Sequence, residues 1–252
     1  MRKLFLIPLL CAMAFGQANT AVLGGNARLG GVAGLGTALS NAFSPTNTKN
    51  CYGFNTGSVQ TINTGVGSGA VACSSIAAGS SIWAVACSGF GNNPTAFSDA
   101  QGDTFSTFLL GTGRYCIVGY VASSLGGAGE VTANGMAGAD QPVVAVTVWT
   151  GLTALDKQTF ANTGASPVSS GSTSTTAFAN ELLIGAIYGR SGTITPVGTG
   201  TFVGATTIYN LNLAAGNLNL SIQWITVSST GAYAYTATVG NSTDETYVGT
   251  WH

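Results

Sequence analysis

The chain has 252 residues, with 7 Lys+Arg against 8 Asp+Glu; 6% of it is charged and 45% hydrophobic. Disorder goes with the opposite balance, so this composition predicts a folded chain with a lightly charged surface rich in small residues. No cluster of Lys or Arg exists, which removes the electrostatic basis of nucleic-acid binding.

The first stretch, "MRKLFLIPLLCAMAFGQA", reads as a secretory signal peptide over residues 1–18. Arg2 and Lys3 form the charged start, Leu4 to Phe15 the apolar run, and Gly16 or Ala18 the cleavage site. The run is too short to span a membrane. Cys11 follows Leu10 where a lipoprotein anchor needs a small residue, so lipidation is not expected. Residues 19–69 are rich in Gly, Asn, Ser and Thr and read as an N-terminal arm; without a Walker lysine their glycines make no phosphate loop.

Beyond Cys11 the chain has four cysteines, Cys51, Cys73, Cys87 and Cys116. An even number in an exported chain predicts two disulfides with three connectivities open. Cys73 and Cys87 flank "AAGSS" almost symmetrically and suit a cross-strand bond, which would leave Cys51 to pair with Cys116.

From about residue 70 to residue 252 short β runs alternate with turn residues, and helical periodicity is nowhere sustained. "SSIWAVACSGF" and "QPVVAVTVWTGL" are apolar at both parities, as strands buried on both faces are. "LTALDKQTF" reads as a loop or a single turn. "NLNLSIQWITVSS" alternates, with Leu218, Leu220, Ile222 and Trp224 on one face and Asn217, Asn219, Ser221 and Gln223 on the other. In "AYAYTATVG", Tyr233, Tyr235 and Val239 share a face. Some ten such strands predict an all-β, two-sheet antiparallel β-sandwich of jelly-roll type.

Several stretches taken in order, "FSDAQGDTFSTF", "VVAVTVWTGL", "STTAFANELLIGAI", "TGAYAYTATV" and "YVGTWH", resemble a group of exported bacterial and phage-associated domains with a concanavalin-like or jelly-roll sandwich. The resemblance covers roughly residues 60–252 and departs at Asp103, where the group usually has Asn, and in the four cysteines. It implies extracellular, non-catalytic work in attachment, glycan binding or surface structure.

The residues themselves carry little catalytic chemistry. His252 is the sole histidine, which leaves no Ser-His-Asp or Cys-His arrangement and no Cys/His metal set. Glycoside hydrolysis needs two neighbouring carboxyls, yet Glu130, Asp140, Asp156 and Glu181 are scattered singly, and Asp244 and Glu245 are adjacent. Asp99 and Asp103 offer part of a calcium site, the one cofactor considered; Gly102 between them makes a hairpin tip the better reading. Trp83, Trp149 and Trp224 lie in apolar strands and read as core. Tyr188 and Arg190, at the end of "ELLIGAIYGR", are the candidates for a ligand-binding rim. The expected protein is secreted and non-enzymatic, binding a glycan or a surface or matrix component. Alternatively it self-assembles as a structural protein of a filament, sheath or particle coat.

Overall fold

The computed structural model describes residues 44–45, 51–54, 60–63, 76–88, 93–110, 115–127, 130–135, 143–162, 164–190, 194–213, 218–240, 243 and 245–252. The leader, Cys11, Cys73, Asp140 and Asp244 lie outside them.

In the first half the strands are β1 (Ser44–Pro45), β2 (Cys51–Phe54), β3 (Gln60–Asn63), β4 (Ser81–Cys87), β5 (Ala96–Asp99), β6 (Ser106–Leu110), β7 (Cys116–Val121), β8 (Glu130–Asn134) and β9 (Val143–Thr150). In the second they are β10 (Leu155–Asn162), β11 (Val168–Ser169), β12 (Glu181–Gly189), β13 (Val197–Thr199), β14 (Thr206–Leu213), β15 (Leu218–Val227), β16 (Thr236–Thr238) and β17 (Glu245–Trp251). The fold is all-β, and among the described residues every ladder is antiparallel. Strands begin upstream of residue 70, because β1, β2 and β3 fall within the Gly-rich 19–69 segment.

Two large sheets form the centre. One runs β1-β9-β4-β7-β6 with β2 also on β9, the other β10-β17-β12-β15-β14. Their facing sides share one core: Trp83, Val85, Val118 and Trp149 from the first sheet, Leu182, Ile184, Ile222 and Tyr247 from the second. This is a β-sandwich, but each large sheet also carries a three-stranded sheet on its outer side. The small sheet β3-β8-β5 packs Phe97, Val131 and Ala133 against Ile82, Ala84, Val144 and Val146. The small sheet β11-β16-β13 packs Val168 and Ala237, with Tyr235 just before β16, against Leu183, Ile187 and Val248. The result is four β layers, which is why β4 and β12 are buried at every position and β9 at all but its last.

The layering also decides what covers each face of β15. Leu220, Ile222 and Trp224 face the central core as expected. Asn219, Ser221 and Gln223 face away from it but not into water, being 1%, 0% and 4% exposed. Gln223 is satisfied there by Thr207, by the Pro196 carbonyl and by the Tyr235 hydroxyl. Buried polar groups need such partners. From Leu155 on, "LTALDKQTF" is a strand rather than a loop: β10 pairs with β17 at the sheet's edge, with an irregularity between Leu155 and Lys157, and is half-buried up to its exposed last residue, Asn162. Edge strands tolerate the charges, Asp156 and Lys157, that hid it from a hydrophobic pattern.

The two halves repeat one plan. In each, the first strand of the half pairs the last, the second pairs the seventh-placed strand, and the third pairs the sixth: β1/β2 with β9, β3 with β8, β4 with β7; then β10 with β17, β11 with β16, β12 with β15. In register, Trp83 stands where Ile184 does, Tyr120 where Trp224 does, and Trp149 where Trp251 does. The halves face each other head to tail, so matching aromatic pairs meet on either side of β4 and β12. Trp149 meets Trp224 edge-on at 5.6 Å, and Tyr120 meets Trp251 edge-on at 4.7 Å. Edge-to-face pairs add about 0.5–1.5 kcal/mol beyond their burial.

Candidate functional site

The stretch around Asp99 and Asp103 joins two layers. β5 pairs β8 in a small sheet and β6 pairs β7 in a large one, so the connection is an arch between sheets and not the expected hairpin tip. Asp99 Oδ1 accepts the N–H groups of Gly102 and Asp103, both at 2.9 Å, and Gly102 takes φ +82° to close the turn. Asp103 then reaches across: Oδ2 accepts the Ser124 hydroxyl at 2.6 Å and Oδ1 the Leu125 N–H at 2.8 Å. Burial, and then the neighbouring Asp103 carboxyl, raise the Asp99 pKa above its ordinary value. Both acids therefore shape and staple the arch. Among the described residues no three His, Cys, Asp or Glu side chains converge as a metal set would.

Tyr188 and Arg190 lie where the two halves meet. Tyr188 is 2% exposed, and its hydroxyl donates to the Ser88 carbonyl at 2.6 Å. The Arg190 guanidinium sits 3.8 Å from the centre of the Tyr115 ring, and the Tyr115 N–H donates to Glu245 Oε1. The pair joins second-half strands to the ends of β4 and β7, the work of an interlock within the chain. Close by, Cys87 and Cys116 stand directly opposite on β4 and β7 and form a disulfide, Cα atoms 4.0 Å apart. The pairing of Cys87 with Cys73 does not form. "AAGSS" is no hairpin, because Ile76 before it bridges to Gly127 and β4 finds its partners in β7 and β9.

Aromatic rings serve the interior. Trp83, Trp149 and Trp251 are at most 2% exposed, and Trp224 is half-buried against Trp149. Burial raises the Tyr235 and Tyr247 pKa values. A cavity between the halves, lined by Trp83, Tyr120, Leu152 and Trp251, has about 10 Å³, room for no more than one water.

The arrangement that the sequence did not disclose is a carboxyl pair. Asp156 enters β10 and Glu181 opens β12; both strands flank β17, and Leu155 and Leu182 register with the same Trp251. This brings together two acids that lie far apart in the sequence. Glu181 is 0% exposed and neither of its oxygens accepts a hydrogen bond of ordinary geometry. Burial pushes its pKa up to about 7, helped by the adjacent Asp156 carboxyl and opposed by the Thr250 hydroxyl and the Lys157 charge. Burial acts on Asp156 in the same upward sense, but hydrogen bonds from Lys157, the Ala177 N–H and Glu181 outweigh it and hold Asp156 below the usual carboxylate range. Asp156 Oδ1 takes the Lys157 ammonium and Oδ2 the Ala177 N–H, each at 2.5 Å. The opposite shifts leave Asp156 the charged member of the two and Glu181 the one that keeps its proton up to about pH 7.

Among the described residues no helix is long and apolar enough to cross a membrane. No protein-family model, no curated protein and no solved structure matches this chain.

Proposed function

We propose that the protein is an extracellular, non-catalytic structural module, built as two jelly rolls in tandem, that works by assembly through its outer layers. The observation that carries this reading is the duplicated pairing, first strand with last, second with seventh, third with sixth, in each half. A long hairpin rolled onto itself alternates its rungs between two sheets in this way, which supports the jelly-roll reading. The buried Cys87–Cys116 bond supports an oxidising compartment and hence export.

Glycan or matrix binding is the second reading, carried by the resemblance to exported concanavalin-like domains. It needs stacking platforms. Phe178 is an exposed aromatic side chain, at 43%, and it stacks on His252. Light scattering on the protein across a hundredfold concentration range separates the two. Oligomers that grow with concentration fit assembly; a monomer throughout, together with a specific hit on a glycan array, overturns it.

A further inference from the structure

The segment 170–178, "SGSTSTTAF", runs alongside the 231–235 segment without being a regular strand. Three hydroxyl residues at every third position hold it to alternate residues of the 231–235 segment. Ser170, Thr173 and Thr176 donate their N–H groups to the carbonyls of Tyr235, Tyr233 and Gly231. Their hydroxyls accept the N–H groups of the same three residues, at 2.9, 3.0 and 3.2 Å. At the end of this ladder the backbone turns inward, and the Ala177 N–H donates to Asp156 Oδ2. The next residue, Phe178, stacks on His252 at 3.7 Å between centroids.

Glu181 neighbours the Asp156 carboxyl that receives Ala177. By alternation with Leu183 and Ile187 it is on the outer face of its sheet, where it is fully covered. Its carboxyl oxygens have no ordinary donor, and the group nearest to it that holds the segment down is Asp156. Two bare carboxylates in a dry site repel each other, whereas one proton between them turns repulsion into a charge-assisted hydrogen bond.

We infer that residues 170–178 form a strap whose end is latched by a proton shared between Asp156 and Glu181, and that removing this proton loosens the latch at Ala177. The charged and titratable groups around the latch come from every neighbouring element. Asp156 and Lys157 are on β10, Glu181 opens β12, and Thr250 precedes the end of β17. His252 stacks on the strap itself, and Tyr233, on the partner segment, commits its hydroxyl to the Ser229 carbonyl. Lys157 holds Asp156 at Oδ1 and Ala177 holds it at Oδ2. This inference goes beyond the structural role proposed above and does not depend on it.

The test is amide hydrogen exchange at Ala177 by NMR on the full chain, with rates corrected for intrinsic base catalysis. With the latch closed Glu181 holds its proton up to about pH 7; with the latch open it releases the proton near its ordinary value of 4.5. The opening constant should therefore rise about tenfold per pH unit between these limits and level off above pH 7. Glu181→Gln keeps a neutral donor toward Asp156 and should make the opening constant pH-independent. Asp156→Asn, whose amide donates to a charged Glu181 and still accepts from Ala177, should abolish the dependence by the opposite route. If the Gln variant fails to fold, the Asn variant carries the test. An Ala177 opening constant equal at pH 5 and pH 7.5 in the natural sequence would falsify the latch. So would a pH dependence that persists in whichever variants fold.

Discussion

Thr173 and Tyr233 exchange two hydrogen bonds: the Thr173 N–H donates to the Tyr233 carbonyl at 2.9 Å, and the Thr173 hydroxyl accepts the Tyr233 N–H at 3.0 Å. A side chain here completes a pairing that backbone alone completes in an ordinary sheet. Thr173 is 5% exposed, so its loss leaves the Tyr233 N–H in a place water does not reach. Thr173→Val keeps the shape and removes the acceptor, and it should cost about 1–3 kcal/mol by chemical denaturation. Thr173→Ser, which restores the oxygen, should recover most of it. Equal losses in the two variants would mean that packing and not the hydrogen bond holds the segment.

Gly185 and Tyr235 make a second close fit between layers. A Cβ on Gly185 would lie 2.5 Å from the Tyr235 ring, so the glycine is what lets that ring lie flat on β12 while its hydroxyl reaches Gln223 at 2.8 Å. Gly185→Ala should cost about 1–3 kcal/mol, the range for overpacking in a dense core. Gly164→Ala provides the contrast, since nothing lies within 4 Å of its Cβ position. That change should be neutral or stabilise by about 0.4–1 kcal/mol through the unfolded chain. Matching thermal midpoints for the two variants would refute the close contact.

The sequence made some layers plain and hid others for identifiable reasons. β4 and β9 are apolar at both parities because a sheet lies on each side of them, and that pattern survives in a linear reading. The burial of Asn219, Ser221 and Gln223 was not legible, because alternation marks a change of face and says nothing about what covers it. The duplication stayed hidden because equivalent positions carry unlike residues, Trp83 against Ile184 and Tyr120 against Trp224. The carboxyl pair was illegible for a topological reason. Asp156 and Glu181 become neighbours only when β10 and β12 take opposite sides of β17, a choice no local pattern encodes.

Cys87 and Cys116 close a loop with a sequence separation of 29 inside the first half. Chain entropy for a ring of that size corresponds to about 3–4 kcal/mol, partly offset by any order left in the unfolded chain. Replacing both with Ala should lower the denaturation midpoint accordingly, with the denaturant slope slightly raised by a more expanded unfolded state. Both residues are 0% exposed, so a mild reductant should leave the native bond intact and break it only once unfolding begins. Ready reduction under native conditions, with no loss of stability, would contradict a buried bond between β4 and β7.

Glu181 also makes global stability depend on pH, and the direction follows from its raised pKa. The folded state holds the Glu181 proton to about pH 7, and the unfolded chain releases it near 4.5. Its favourable contribution is thus complete below about pH 4.5, declines as pH rises to 7, and is gone above that. Asp156 acts in the opposite sense: its pKa is lowered in the folded state, so its contribution is lost only as pH falls below the ordinary carboxylate range. Together they place the stability maximum on the acid side of neutral, near pH 5. Between pH 5 and pH 8 the unfolding free energy should drop by on the order of 2 kcal/mol, or about 4–8 °C in Tm. Glu181→Gln should flatten the alkaline half of that curve and leave the acid limb, which belongs to Asp156, in place. A Tm that climbs steadily from pH 5 to pH 8 would show that Glu181 is ionised in the folded chain and that no proton joins it to Asp156.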